Sequence, residues 1–272
     1  MSDWLILLVA VLGGSLLSLI GGLYLLYGNK GVRTLQRVAV PFAAGALLAA
    51  AFLDLLPEAI DHDSAENVLT FALAGLVLFF VLERSLSWFH HHHEEDHDLV
   101  RGRRNISLIV IGDTVHNFID GLAIGAAFLV DPAIGLVTTA AIAAHEIPQE
   151  IGDFGLMLSK GATKRTVLIV NVLSTLATVV GAALIYGFGE SLAIPESALL
   201  ALTAGFFIYI AASDIIPTIH AEPKRRWANI QTAVLIAGIV VVGTAATIAH
   251  EIVPHTDSEH SVETHSEGEA DH

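Results

Sequence analysis

The sequence predicts an all-α integral membrane protein of eight transmembrane helices, with an inverted repeat of helices 1–3 and 6–8 around central helices 4 and 5. Three observations lead there. The first is composition: of 272 residues, 54% are hydrophobic and 15% charged, with mean hydropathy +0.66. A soluble domain carries about 25% charged residues, and a membrane-spanning helix needs about 20 apolar ones. Eight such stretches fit, at 3–27, 35–57, 66–89, 105–130, 132–158, 164–189, 197–219 and 229–250. The second is charge placement. All 13 Lys and Arg lie in or beside the connections between spans 1–2, 3–4, 5–6 and 7–8. The other connections carry Glu58, Asp61, Asp63, Glu66, Asp131, Glu190 and Glu196 and no base. Basic loops stay in the cytoplasm, so both termini are expected outside. The third is a repeat: Ala44-Gly45, Asp54 and Pro57 in span 2 recur as Ala204-Gly205, Asp214 and Pro217 in span 7, 160 residues later. The two spans run in opposite directions, as in many secondary transporters.

Span 1 opens MSDWLILL with no basic n-region, so it reads as a membrane span and not a cleaved leader. Spans 2 and 7 place Asp54 and Asp214 near opposite mouths, as candidate gates. Trp4, Trp88 and Trp227 lie near span ends, where interfacial anchors sit. Span 3 leads into His90, His91, His92, His93, Glu94, Glu95, Asp96, His97 and Asp98, an auxiliary metal-binding tract within a cytoplasmic loop at 90–104. Residues 1–250 form the membrane domain. The tail, 251–272, alternates His with Asp and Glu and is too polar to fold alone. The net charge of −15 argues against nucleic acid, and the absence of cysteine removes disulfides and thiolate metal sites.

Spans 4 and 5 carry the chemistry. Asp113, His116, Asn117 and Asp120 fall at i, i+3, i+4 and i+7, one face of a helix. His145, Glu146, Gln149, Glu150 and Asp153 form a matching stripe on span 5. At 1.5 Å per residue, His116 lies roughly 16 Å into its span and His145 roughly 20 Å into the opposite-running one. Both depths are near the middle of a hydrocarbon layer about 30 Å thick. Ionisable groups there are costly without a partner, and neither stripe contains Lys or Arg. Protons or a divalent cation must supply the balance; the alternative is a hydrogen-bonded seam that only joins helices. Imidazole suits zinc and iron, and carboxylate suits harder ions. Pro148 removes one backbone hydrogen bond inside the second stripe. Asn171, Ser174, Thr175 and Thr178 form a milder stripe on span 6.

HNFIDGLAIG, from His116 to Gly125, and HEIPQEIGDF, from His145 to Phe154, resemble the fourth- and fifth-helix signatures of the ZIP metal-ion transporters. The closer likeness is to the branch whose fifth helix reads HEIPHE followed by GDF. DLLPEA, from Asp54 to Ala59, is also family-like. The resemblance implies uptake of Zn2+, with Fe2+, Mn2+ or Cd2+ in some members, as transported substrate and not as cofactor. It implies homodimers that move one helix bundle against another, with a binuclear site between helices 4 and 5. By position, His116, Asp120, Glu146 and Gln149 would hold the first ion. Asn117, His145 and Glu150 would lie at the second, with Glu146 bridging. Asp113 and Asp153 are left as pathway candidates. Gln149 replaces the second histidine of HEIPHE, which should weaken zinc binding and widen selectivity. Thr178 stands where some members have a glutamate, and the cysteine–proline signature of part of that branch is absent.

The expected location is a prokaryotic inner or plasma membrane. No G-x-x-x-x-G-K-[ST] sequence occurs, so transport would run on gradients. HEIPQ begins like the metalloprotease H-E-x-x-H but fails at Gln149, so no enzyme is expected. A metal sensor that binds without flux is the other alternative.

Overall fold

The computed structural model describes residues 3–27, 32–91, 98–159, 161–192 and 194–252, with no strand among the described residues. The helices are α1 (Asp3–Tyr27), α2 (Val32–Ala50), α3 (Leu56–His62), α4 (Ala65–His91), α5 (Asp98–Val130), α6 (Pro132–Ser159), α7 (Lys164–Phe188), α8 (Glu196–Tyr209), α9 (Ile216–His220) and α10 (Arg225–Ile252). Six segments are long and apolar enough to cross a membrane: Asp3–Leu26, Gln36–His62, Ala65–Ser85, Lys164–Phe188, Glu196–His220 and Arg225–Ala249. The 33-residue α5 and 28-residue α6 are long enough too, but their polar stripes dilute them. Side chains such as Leu16, Leu69, Leu73 and Leu173 are at least 59% exposed, an outer face suited to lipid.

Two details go beyond the sequence reading. Spans 2 and 7 are helical but not α-helical throughout. A π turn at Ala51–Leu55 separates α2 from α3, and another at Ile210–Ile215 separates α8 from α9. Pro57 and Pro217 sit in the first turns after them. Proline offers no N–H and its ring crowds the carbonyl four residues back, which a wider turn relieves. The segment read as a loop at 90–104 is also partly helical: α4 runs to His91 and α5 begins at Asp98. Hydropathy marks where the membrane ends, but a polar helix can continue past it. His92, His93 and His97 lie outside the described residues, as does the tail from 253 onward. By contrast, α6 continues unbroken through Pro148.

The helices associate in two sets of four spans. In one, α5 lies along α7 and α6 along α1; in the other, α2 lies along α10 and α8 along α4. The inverted repeat exchanges the members of each set, and the contacts obey it. A Cβ on Gly45 would strike the backbone of Leu235 and Ile239. One on Gly205 would strike Ala72 and Leu76. Gly238 against Phe42 and Gly75 against Leu202 repeat the relation from the partner helices. Without a hydrophobic force between helices in lipid, such close backbone approach supplies the packing energy. The π turns match as well, each carrying its aspartate.

The connections fix the ends. On the basic side, Arg37 Nε lies 3.2 Å from Glu222 Oε2 and its guanidinium 5.1 Å from the Trp227 ring. Lys164 Nζ donates to the Leu26 carbonyl at 2.6 Å. On the acidic side, Asp131 caps α6 by accepting from Ala133 N at 2.6 Å. Asp63 accepts from Asn67 Nδ2 at 2.9 Å and Ser64 N at 2.7 Å, which holds its carboxyl below the usual carboxylate range.

Gly45→Ala should destabilise the fold by about 1–3 kcal/mol, the usual cost of overpacking. Gly13→Ala, whose added Cβ meets nothing within 4 Å, should leave it unchanged. Thermal unfolding in detergent compares the two; equal melting of both variants would refute the close-approach account.

Candidate metal site

Two long helices, one from each half of the chain's centre, bring the histidines together. His116 on α5 and His145 on α6 place their Nε2 atoms 3.3 Å apart. Asp120 lies one turn beyond His116 on the same face of α5. Its Oδ2 is 3.5 Å from His116 Nε2 and 3.3 Å from His145 Nε2. The three ligand atoms therefore form a nearly equilateral triangle. A tetrahedral ion with bonds of about 2.0–2.1 Å has ligand–ligand edges of about 3.3–3.4 Å, so this triangle fits one face of such a polyhedron. The donor set, two imidazoles and a carboxylate, is that of a zinc-type site. His145 and Asp120 are fully enclosed, whereas the His116 side chain is 19% exposed. Phe79 of α4 meets the His116 ring edge-on at 5.9 Å and limits its rotation.

Two neighbouring cavities reach this triangle. One, of about 360 Å3, is lined in part by Glu83, Asp113, His116, Gln149 and Asp153. The other, of about 330 Å3, includes Glu83, His116, His145, Pro148 and Gln149. Helix direction places both on the side of the basic connections: Glu83, which lines both, follows Phe79 on α4, and in the first Asp113 precedes His116 on α5 and Asp153 follows His145 on α6. Neither described lining contains Lys or Arg. On the other side, Ile124, Ala127, Phe128, Ile134, Ala141 and Ile142 belong to the buried apolar core. The triangle is thus accessible from the basic side and shut from the acidic side.

The remaining stripe residues divide. Asn117 is buried and tied to α7: its Nδ2 donates to Ser174 Oγ at 3.3 Å and to Asp113 Oδ1 at 3.0 Å. Its Oδ1 accepts from Thr178 Oγ1 at 3.0 Å. The span-6 stripe thereby joins α7 to α5. Glu146 and Glu150 are buried, with Glu146 Oε1 and Glu150 Oε2 lacking hydrogen-bond partners. Neither belongs to the described three-residue cluster. Gln149 lines both cavities but is outside that cluster as well. His145, expected at a second site, lies instead beside His116 and Asp120. Asp54 is buried at the π turn; the side chain of Asp214, on the matching turn, is outside what is described, as are those of His90 and His91.

Glu83 escaped the sequence reading. It lines both cavities, and its buried Oε2 has no hydrogen-bond partner. One signal was available: Glu83 is an acid at the end of the apolar run VLFFVLER, four residues after Phe79. Beside Arg84 it reads as an ordinary interfacial ion pair, and only the fold turns it inward.

A family model described as "ZIP Zinc transporter" matches residues 4–105 and 90–246. Zinc transporter ZIP13 of Pongo abelii is 33% identical over 217 residues, covering 74% of this chain and 64% of that protein. Zinc transporter ZIP4 of Rattus norvegicus is 42% identical over 123 residues, or 44% of this chain and 18% of that protein. Zinc transporter ZIP6 of Homo sapiens is 35% identical over 153 residues, or 54% and 20%. The chain thus spans under two thirds of the length of these relatives. All are animal proteins, which gives no support to the expected prokaryotic membrane. The match over nearly the whole chain, with the eight-span helical fold and its inverted repeat, makes this chain a member of the ZIP zinc transporter family.

Proposed function

We propose that this chain is a secondary carrier that moves Zn2+, with Fe2+, Mn2+ or Cd2+ as further candidates, into the cytoplasm by alternating access. The observation that carries the reading is the His116–Asp120–His145 triangle, sized for a small divalent ion and opening into cavities with carboxylates and no Lys or Arg among their described lining. The relatives' printed names as zinc transporters point the same way.

The chemistry follows from the donors. Neutral imidazole nitrogens and an ionised Asp120 bind a divalent ion, while protons compete for the same atoms. Glu146 and Glu150, on the same stripe of α6 as His145, offer further oxygen donors, which a divalent ion would hold in the ionised form. Glu146 bridging to a second ion near Asn117 and Glu150 is the binuclear form of this reading. By the positive-inside rule the basic connections face the cytoplasm, so the described conformation is the one that releases ions inward, with both termini outside. The triangle rides on α5 and α6, in one four-span set. Sliding that set against the other would carry it to the opposite face, and a homodimer would anchor the stationary set.

Sealed liposomes loaded with a metal-sensitive dye test the reading. Saturable Zn2+ entry is expected, and absence of flux for every ion with binding retained would favour a sensor. Asp120→Asn should weaken Zn2+ binding about tenfold or more, since even residues that only orient a ligand cost 10–100-fold. Unchanged binding would remove Asp120 from the site. Glu146→Ala should abolish flux, and retained wild-type flux would end its bridging role. Acidification should weaken binding by protonating the imidazoles; calorimetric titration at two pH values checks this, and an affinity independent of pH would argue against the histidines as ligands. Gln149→His should tighten Zn2+ binding and narrow selectivity, and unchanged competition by Mn2+ would count against that role.

A further inference from the structure

We infer that Glu83 of α4, together with Asp113 of α5 and Asp153 of α6, forms a carboxylate release station on the basic side of the triangle, which an ion occupies after leaving His116, Asp120 and His145.

The register places all three carboxylates on the basic side of the triangle, with Asp153 the furthest out. Glu83 follows Phe79 by four residues and so lies on the same face of α4. Phe79 meets His116, and α4 runs toward the basic side, so Glu83 sits about 6 Å further toward it. Asp113 precedes His116 by three residues on a helix running the other way, which places it about 4.5 Å to the same side. Asp153 follows His145 by eight residues, about 12 Å along α6 in that direction. All three line the same cavity.

The carboxylates also have unused capacity. Asp113 is only 7% exposed, yet its Oδ2 has no hydrogen-bond partner, while its Oδ1 is taken by Asn117. Glu83 Oε2 is likewise buried and without a partner. No Lys or Arg is among the described residues of the cavity wall to neutralise them. Carboxylate oxygens are harder and hold zinc-type ions less firmly than imidazole. They can thus take an ion from the triangle without trapping it.

Glu83 has one further property. It belongs to the set containing α2, α4, α8 and α10, whereas Asp113, Asp153 and the triangle belong to the other. The station is therefore assembled from both sets and exists only when they stand as they do here. It rests on the carrier reading for its place in transport, but its occupancy by metal does not depend on flux.

The test separates the two. In the full-length chain in detergent, His116→Ala with His145→Ala removes the triangle. Mn2+ titration by electron paramagnetic resonance then reads the carboxylates. Weak Mn2+ binding should persist, and adding Glu83→Gln should weaken it about tenfold or more, on the scale of a lost metal-site partner. Glu83→Asp, which keeps the charge, should retain most of it. Asp153→Asn on the same background gives the same readout if Glu83→Gln does not yield a monodisperse protein. In liposomes, Glu83→Gln alone should lower saturated Zn2+ flux with little change in the half-saturating concentration, because loading occurs at the triangle. Mn2+ binding indifferent to Glu83 and Asp153, or wild-type flux in Glu83→Gln, would overturn the station. Absence of flux in the unaltered protein would overturn the carrier reading while leaving the Mn2+ result to decide the station.

Discussion

Acidic side chains enclosed in an apolar bundle with no Lys or Arg beside them are the constraint on which the rest depends. Asp113, Asp120, Glu146 and Glu150 are all buried, and the described walls of the adjoining cavities hold no Lys or Arg. A charged side chain at the centre of a membrane helix costs about 3 kcal/mol on the insertion scale and more in isolation. Packing Lys or Arg against these acids would remove that cost and also remove the site. The fold instead keeps every described cation at the ends, in contacts such as Arg37 with Glu222 and Lys164 with the Leu26 carbonyl. A divalent ion would supply a counter-charge matched to such a cluster.

Holding such a cluster requires a scaffold whose stability comes from elsewhere. The glycine contacts provide it. Gly45 and Gly205 let α2 meet α10 and α8 meet α4 at backbone distance, while Gly121 does the same for α5 against α7, under the Thr178 carbonyl. These contacts lie within each four-span set. The polar stripes of α5 and α6 meet at His116, Asp120 and His145, while Asn117 turns to Ser174 and Thr178 of α7. The glycine contacts thus lie on other surfaces of the helices than the His116–Asp120–His145 cluster.

Asn117 shows how finely the two are divided. It lies within the His116 motif, yet its amide is spent on Ser174, Thr178 and Asp113. Its position next to His116 in sequence turns it about 100° around the helix, away from the triangle and onto α7. It fixes the rotation of α5 and so the direction in which His116 and Asp120 point.

The sequence by itself determined the helical class, the eight spans, the alternation of basic and acidic connections, the repeat, and the polar faces of α5 and α6. Each of these is periodic or compositional, and insertion into lipid enforces them locally, segment by segment. The tertiary structure alone decided which side chains meet. His145 joins His116 and Asp120 because α6 crosses α5 at one particular height and rotation, which helical spacing does not encode. Glu83 turns inward because α4 packs on α8, a contact separated by more than a hundred residues of chain. The π turns at Asp54 and Asp214 arise from a proline's conflict with the preceding turn, resolved identically in both halves. A sequence displays which faces are polar, but the relative depth and twist of two helices depend on close packing along their whole length, and only the folded bundle settles it.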